Sequence, residues 1–263
     1  LIHYGHSKML EGPGDLEVAY FEAKMDIGVE DVLEEALDLL EPYRAVGVAT
    51  TVQHVHLLDR LVELVERRGH KALVGRAGGR LAYDGQVLGC DYTSVREIRE
   101  DADAFLLLGS RFHALGVAIS TGKPTVVANP YERRAELVDE EARRMLARRY
   151  AYVEEARRCR CFGVIIGLKP GQMRVELALR ALELIEEAGR EAVLMAANEI
   201  RPEYLADFRG IDAFVNTACP RLSLEDAGAF GRPLLTYPEL KVALGSLRWE
   251  ELCEAGWFVD PSS

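Results

Sequence analysis

Two cysteines sit in segments shaped to approach something closely. Cys90 lies in Gly85-Gln-Val-Leu-Gly-Cys-Asp-Tyr92, and Cys219 in Val215-Asn-Thr-Ala-Cys-Pro-Arg221. Glycine beside the first and proline after the second mark loops rather than regular elements. Thiolates are soft ligands, and thiolates arriving from separate segments can hold an iron–sulfur cluster. Taken singly, each cysteine also reads as a small buried hydrophobe, and that reading stays open. Cys159-Arg-Cys161 lacks the second pair a zinc site needs, and Cys161 leads into an apolar run. These two and Cys253 read as structural.

Histidines form a second set. His3 and His6 lie in His3-Tyr-Gly-His-Ser7, His54 and His56 in Thr50-Thr-Val-Gln-His-Val-His56, and His113 in Gly109-Ser-Arg-Phe-His113. All three segments follow strand-like runs, which directs them toward one cleft. Histidine there can bind a carboxylate, move protons or ligate metal; helix capping and loop packing are the plainer alternatives. His70 follows a helix cap and reads as a surface residue. Lys169-Pro-Gly-Gln172 follows another strand, and its backbone suits an anionic group such as a carboxylate. No Walker loop, no G-x-G-x-x-G after a strand and no G-x-S-x-G elbow occurs.

The elements that must position these residues alternate strand and helix. Val46–Thr50, Lys71–Val74, Ala104–Leu108 and Thr125–Ala128 read as buried strands, and Leu57–Arg68 as a helix closed by Gly69. Such alternation means a parallel sheet with helices on its faces. Open α/β sheets place sites at the carboxyl ends of strands, which suits Cys219. Arg133–Arg158 is strongly charged and predicts one long linking helix. The pattern then recurs. Gly163 falls 116 residues after Gly47, while Asp212 and Gly231 each fall 109 after Asp103 and Gly122. Shared words, Asp-Ala-Phe and Gly-basic-Pro, mark an internal repeat. Leu1–Gly5 matches Phe105–Gly109, and Val18–Glu22 matches the strand at Thr125. The chain is therefore expected to hold the end of a first repeat (1–42), a second with its linking helix (43–158) and a third (159–263). A stretch comparable to Tyr43–Phe105 is expected upstream of Leu1.

The chain has 263 residues, 49% hydrophobic and 29% charged, which is ordinary globular composition and excludes a disordered or collagen-like chain. Its 43 acidic against 32 basic residues, net −11, argue against a dedicated nucleic-acid binder. No apolar run is long enough to span a membrane, and no export signal opens the chain. An odd count of five cysteines does not fit a disulfide framework. An intracellular, cytoplasmic protein with thiols kept for chemistry fits better.

Four motifs in order, His3-Tyr-Gly-His-Ser7, Thr50-Thr-Val-Gln-His54, Gly85–Asp91 and Asn216-Thr-Ala-Cys-Pro-Arg221, resemble the archaeal diphthamide synthesis enzymes, the 2-(3-amino-3-carboxypropyl)histidine synthases. The resemblance runs from Leu1 to about Trp249. It implies three similar α/β domains, a homodimer, and a [4Fe-4S] cluster held by three cysteines, one per domain. Cys90 and Cys219 match the second and third ligands; the first would lie upstream, outside this chain. In the implied reaction, S-adenosylmethionine binds the open iron and an electron donor supplies the reduced cluster. A 3-amino-3-carboxypropyl radical then adds to a histidine of translation elongation factor 2. The missing C-x₃-C-x₂-C word of ordinary radical enzymes agrees with this. Gln53, His54 and Gln172 are assigned to the methionine moiety or its surroundings, and no residue is assigned as catalytic. Two alternatives are a non-catalytic partner subunit of such an enzyme and an iron–sulfur enzyme of the quinolinate synthase kind. A plain ligand-binding module with inert cysteines is a further one.

Overall fold

The computed structural model of the chain describes residues 2–5, 7, 17–169 and 171–259. Leu1, His6 and Pro170, which the motifs above include, lie outside the described residues. The chain forms two compact units, divided along the sequence between Arg143 and Arg144.

In the first unit, β1 (Ile2–Gly5) and β2 (Ala19–Glu22) make a two-stranded parallel sheet. Next come α1 (Glu30–Leu40), β3 (Ala45–Thr50), α2 (Leu58–Arg67), β4 (Lys71–Leu73), α3 (Thr93–Glu97) and β5 (Ala104–Leu108). They are followed by α4 (Arg111–Thr121), β6 (Thr125–Asn129), β7 (Arg134–Leu137) and the start of α5 (Asp139–Ala156). The sheet order is β4-β3-β5-β6-β7, parallel except for β7. β3, β5 and β6 are buried on both faces, which is why they read as unbroken apolar runs. α2 buries Leu61 and Val65, one turn apart, and exposes its charged residues.

The second unit holds β8 (Cys161–Gly167), α6 (Val175–Glu187), β9 (Glu191–Ala197), α7 (Pro202–Ala206) and β10 (Ala213–Asn216). β11 (Leu234–Thr236), α8 (Tyr237–Ala243) and α9 (Trp249–Glu254) complete it. Its all-parallel sheet runs β11-β10-β8-β9. With β3 matched to β8, the two sheets share one strand order: the second, first, third and fourth strands of each unit lie side by side.

The repeated words have physical causes, and each cause occurs twice. Asp103 accepts the backbone N–H groups of Arg44 and Ala45, and Asp212 accepts those of Arg160 and Cys161. Each carboxylate thereby ties the start of its third strand to the start of its first. Those N–H donors hold both carboxyls below the usual aspartate range. Gly47 and Gly163 clear space for an aromatic ring on the neighbouring strand. A Cβ would stand 2.3 Å from the Phe105 ring at Gly47 and 2.8 Å from the Phe214 ring at Gly163.

One expectation is corrected. Arg133–Arg158 is not a single helix: Arg134–Leu137 forms β7, antiparallel to β6, before α5 begins at Asp139. Arg133 turns the chain with a φ of 51°, Ala135 is buried, and its N–H donates to Glu35 on α1. Asp139 accepts the N–H of Thr125. Local charge read as helix, but sheet pairing and one buried alanine decide the first turn.

Candidate functional site

In the second unit β10 ends at Asn216, whose side chain folds back over the loop that follows. Its Oδ1 accepts the N–H of Ala218 at 3.0 Å. Its Nδ2 donates to the carbonyl of Cys219 at 2.7 Å and to the Ser223 hydroxyl at 3.0 Å. Thr217 Oγ1 donates to the Ile165 carbonyl at 2.8 Å and pins the loop to β8. Gly167, at the end of β8, lets the loop come close, since a Cβ there would stand 2.6 Å from that of Ala218. Cys219 is half-buried and lines a cavity of about 250 Å³ with Gly167, Lys169, Gln172, Asn198 and Arg201. Gln172, predicted as a binding residue, thus shares a cavity with Cys219. The cavity's cations are balanced by acids, with Glu199 pairing both Lys169 and Arg201.

In the first unit the Cys90 segment is tied to the end of β3. Thr50 donates its N–H to the Gly85 carbonyl at 2.9 Å, and Val87 donates to the Thr50 carbonyl at 2.8 Å. Gln86 is fully buried. Its Oε1 accepts the N–H groups of Ala82 and Tyr83, and its Nε2 lies 3.3 Å from the hydroxyl of Ser7. Ser7 belongs to the histidine-bearing N-terminal motif, so one buried amide joins two of the four motifs. Leu88 and Asp91 exchange backbone hydrogen bonds at 2.9 and 3.2 Å, which places Gly89 and half-buried Cys90 at the tip of a tight turn. At Gly89 a Cβ would stand 2.6 Å from the Phe112 ring. Asp91 fixes the base of the turn by accepting from Thr93 and from the N–H of Arg80.

Gln53 and His54 lie in the 3₁₀ turn Val52–Leu57 that follows β3. The Gln53 carbonyl accepts the N–H of Met25 at 2.9 Å. The His54 ring is wholly buried, with Nε2 3.0 Å from the Tyr131 hydroxyl and Nδ1 buried without a partner. Burial first, and neighbouring His56 second, lower its pKa, so the ring is neutral at physiological pH. Of the other histidines, His3 packs against Tyr20, and His113 Nδ1 is 2.8 Å from Ser110 Oγ. His56 is exposed, and half-buried His70 bonds the Tyr43 carbonyl.

Burial pushes Cys159 and Cys253 up to about 11, and raises Cys161 to a lesser degree, which keeps all three as neutral thiols. None of the five cysteines is in a disulfide. Cys90 and Cys219 sit on short loops braced by side-chain hydrogen bonds, a setting that suits thiolate ligands of an iron–sulfur cluster. Among the described residues, no three His, Cys, Asp or Glu side chains gather to hold a metal ion. Sequence reasoning missed Gln86, Asn216 and Gly167 as the residues that shape these loops. Only Asn216 carried a signal, as a polar residue ending a strand inside the Cys219 motif.

The family model described as putative diphthamide synthesis protein matches residues 1–253. The 2-(3-amino-3-carboxypropyl)histidine synthase of Pyrococcus horikoshii is 36% identical over 247 residues, covering 93% of this chain and 70% of that protein. The subunit 1 proteins of the same name from Gallus gallus and Homo sapiens are 31% and 28% identical. The chain spans 61% and 57% of their lengths. A crystal structure of Dph2 from Pyrococcus horikoshii with a 4Fe-4S cluster superposes with a TM-score of 0.83 at 33% identity, over 94% of this chain and 71% of that one.

Proposed function

The chain belongs to the diphthamide synthesis family, and from that premise we propose that it transfers the 3-amino-3-carboxypropyl group of S-adenosylmethionine to a histidine of translation elongation factor 2. That transfer opens diphthamide formation. Cys90 and Cys219 serve as two thiolate ligands of a [4Fe-4S] cluster. When bound, the cluster supplies the electron that cleaves a carbon–sulfur bond of the sulfonium.

The chain's own residues bind, orient and shield. The observation that carries the reading is the cavity shared by Cys219 and Gln172 at the carboxyl end of the second sheet. There the Gln172 amide and the Lys169 ammonium receive the methionine carboxylate, while Glu199 holds Lys169 in place. In the first unit Gln53 and neutral His54 back the turn after β3 and belong to the surroundings of the methionine moiety. We read residues 1–42, 43–158 and 159–263 as parts of three repeats. We read the working form as a homodimer in the cytoplasm, fed by an electron donor. Among the described residues, no helix is long and apolar enough to cross a membrane.

The test is anaerobic. The complete polypeptide is reconstituted with iron and sulfide, and label is followed from S-adenosylmethionine to elongation factor 2. Cys90→Ala and Cys219→Ala should each lose iron and reduce transfer by at least about a hundredfold, the upper end of what losing even an outer-shell partner of a metal costs. Undiminished transfer by the iron-free double variant would replace the electron-transfer reading with polar displacement at the methionine carbon. Iron binding without transfer would leave the partner-subunit reading.

A further inference from the structure

Beneath the Cys219 loop runs a buried polar network that the transfer reaction does not itself call for. Arg149 on α5 and Glu239 on α8 are 1% and 0% exposed. The guanidinium donates to both Glu239 carboxylate oxygens at 2.8 and 2.6 Å. It also donates to the carbonyls of Leu234 at 2.7 Å and Ser223 at 2.6 Å. Glu239 in turn accepts from Trp257 Nε1 at 3.1 Å and from the N–H of Thr236 at 2.8 Å. On the other side, the Ser223 hydroxyl meets Asn216 Nδ2, and Asn216 grips the backbone on both sides of the Cys219 α-carbon: the Ala218 N–H and the Cys219 carbonyl. One hydrogen-bonded chain therefore runs from Trp257 through Glu239, Arg149, Ser223 and Asn216 to Cys219.

A buried ion pair gives little stability that well-packed apolar side chains would not give. It does fix geometry. The planar guanidinium reaches four acceptors in fixed directions, and a fully satisfied buried network holds one arrangement. Ser223, the hinge between the ion pair and the loop, lies in a π-helical turn, Leu222–Asp226, a winding frequent at functional sites.

We propose that Asn216 is the positioning residue of the Cys219 thiol, and that the buried Arg149–Glu239 pair is the anchor it works against. The inference rests on the reading of Cys219 as a cluster ligand. It predicts that the network sets where that thiol stands, not how stably the unit folds.

The test uses the 263-residue chain without iron. Iodoacetamide alkylation of each cysteine is timed by peptide mass spectrometry. Asn216→Ala should change the Cys219 rate about tenfold, the order expected from losing its two hydrogen bonds to the Cys219 loop. Cys90, Cys159, Cys161 and Cys253 should stay within about twofold of their native rates, as sites without shared partners do. Arg149→Lys keeps the charge but not the fork, and should move Cys219 in the same direction by less. If Asn216→Ala does not fold, Asn216→Ser carries the same test. An unchanged Cys219 rate in a folded variant overturns the proposal, and so does a common acceleration of all five thiols, which marks mere loosening. This readout needs no iron. The cluster reading stands or falls separately, on whether Cys219→Ala of the complete polypeptide loses iron.

Discussion

At the scale of single residues, burial sorts the titratable groups into those that can meet a ligand and those that cannot. His54 is neutral because its ring is wholly buried, with His56 adding to the effect. Its folded pKa is depressed, so the stability it contributes is present above the unfolded value of about 6.5 and is lost as pH falls below it. Urea unfolding at about pH 7.5 and about pH 5.5, roughly one unit either side of that value, should show the native chain losing more stability than His54→Gln. Equal losses would mean that the ring takes up its proton while folded. The thiols behave in the opposite sense. Cys159 and Cys253 have folded pKa values raised to about 11, so their contribution is complete below the ordinary thiol range and is lost as pH rises toward 11. Between those limits the melting temperature should fall more for the native chain than for Cys253→Ala, followed by circular dichroism.

At the scale of elements, the strands are held in register by small residues whose absence of a side chain is the point. Gly47→Ala and Gly163→Ala each drive a Cβ into a phenylalanine ring on the neighbouring strand. Each should cost about 1–3 kcal/mol in urea unfolding, the range for overpacking. Trimming the ring, as in Gly47→Ala with Phe105→Leu, should recover part of the loss, and a purely additive result would show that the ring is not the obstacle. Gly167→Ala differs, because its Cβ would meet Ala218 beside Cys219 rather than a core ring. It should lower iron retention by the complete polypeptide about tenfold or more while costing no more stability than the two core glycines, because cofactor ligands demand tighter placement than folding does. These glycines were legible as strand residues, but the ring or loop each one clears was not. That depends on which strands become neighbours, and Gly47 and Phe105 meet only after β3 pairs with β5.

At the scale of the whole molecule, two compact units with their own cores and the same strand order lie on one chain. Separate cores predict separable stability. Gly47→Ala should shift the unfolding of Phe105-side probes, and Gly163→Ala that of probes near Phe214, each leaving the other unit's transition in place; one shared shift would mean a single cooperative block. The sequence by itself determined the α/β class, the mainly parallel sheets and the recurrence of the same elements in the two units, and it put Cys90 and Cys219 in loops. Buried parallel strands must be apolar throughout, and a strand-starting aspartate or a ring-clearing glycine must recur wherever its job recurs. The sequence also directed Gln172 to the sheet's carboxyl edge, where it lines one cavity with Cys219, because a turn after a strand end can lie nowhere but at that edge. Only the tertiary structure decided that Arg134–Leu137 is a strand, that His54 is sealed in the interior, and that Asn216, Gln86 and the Arg149–Glu239 pair shape the cysteine loops. Ala135, Gln86 and Arg149 depend on Glu35, Ser7 and Glu239, which lie 79 to 100 positions away, and His54 depends on burial. A hydrogen bond or an ion pair leaves no mark on either residue until folding brings the two together.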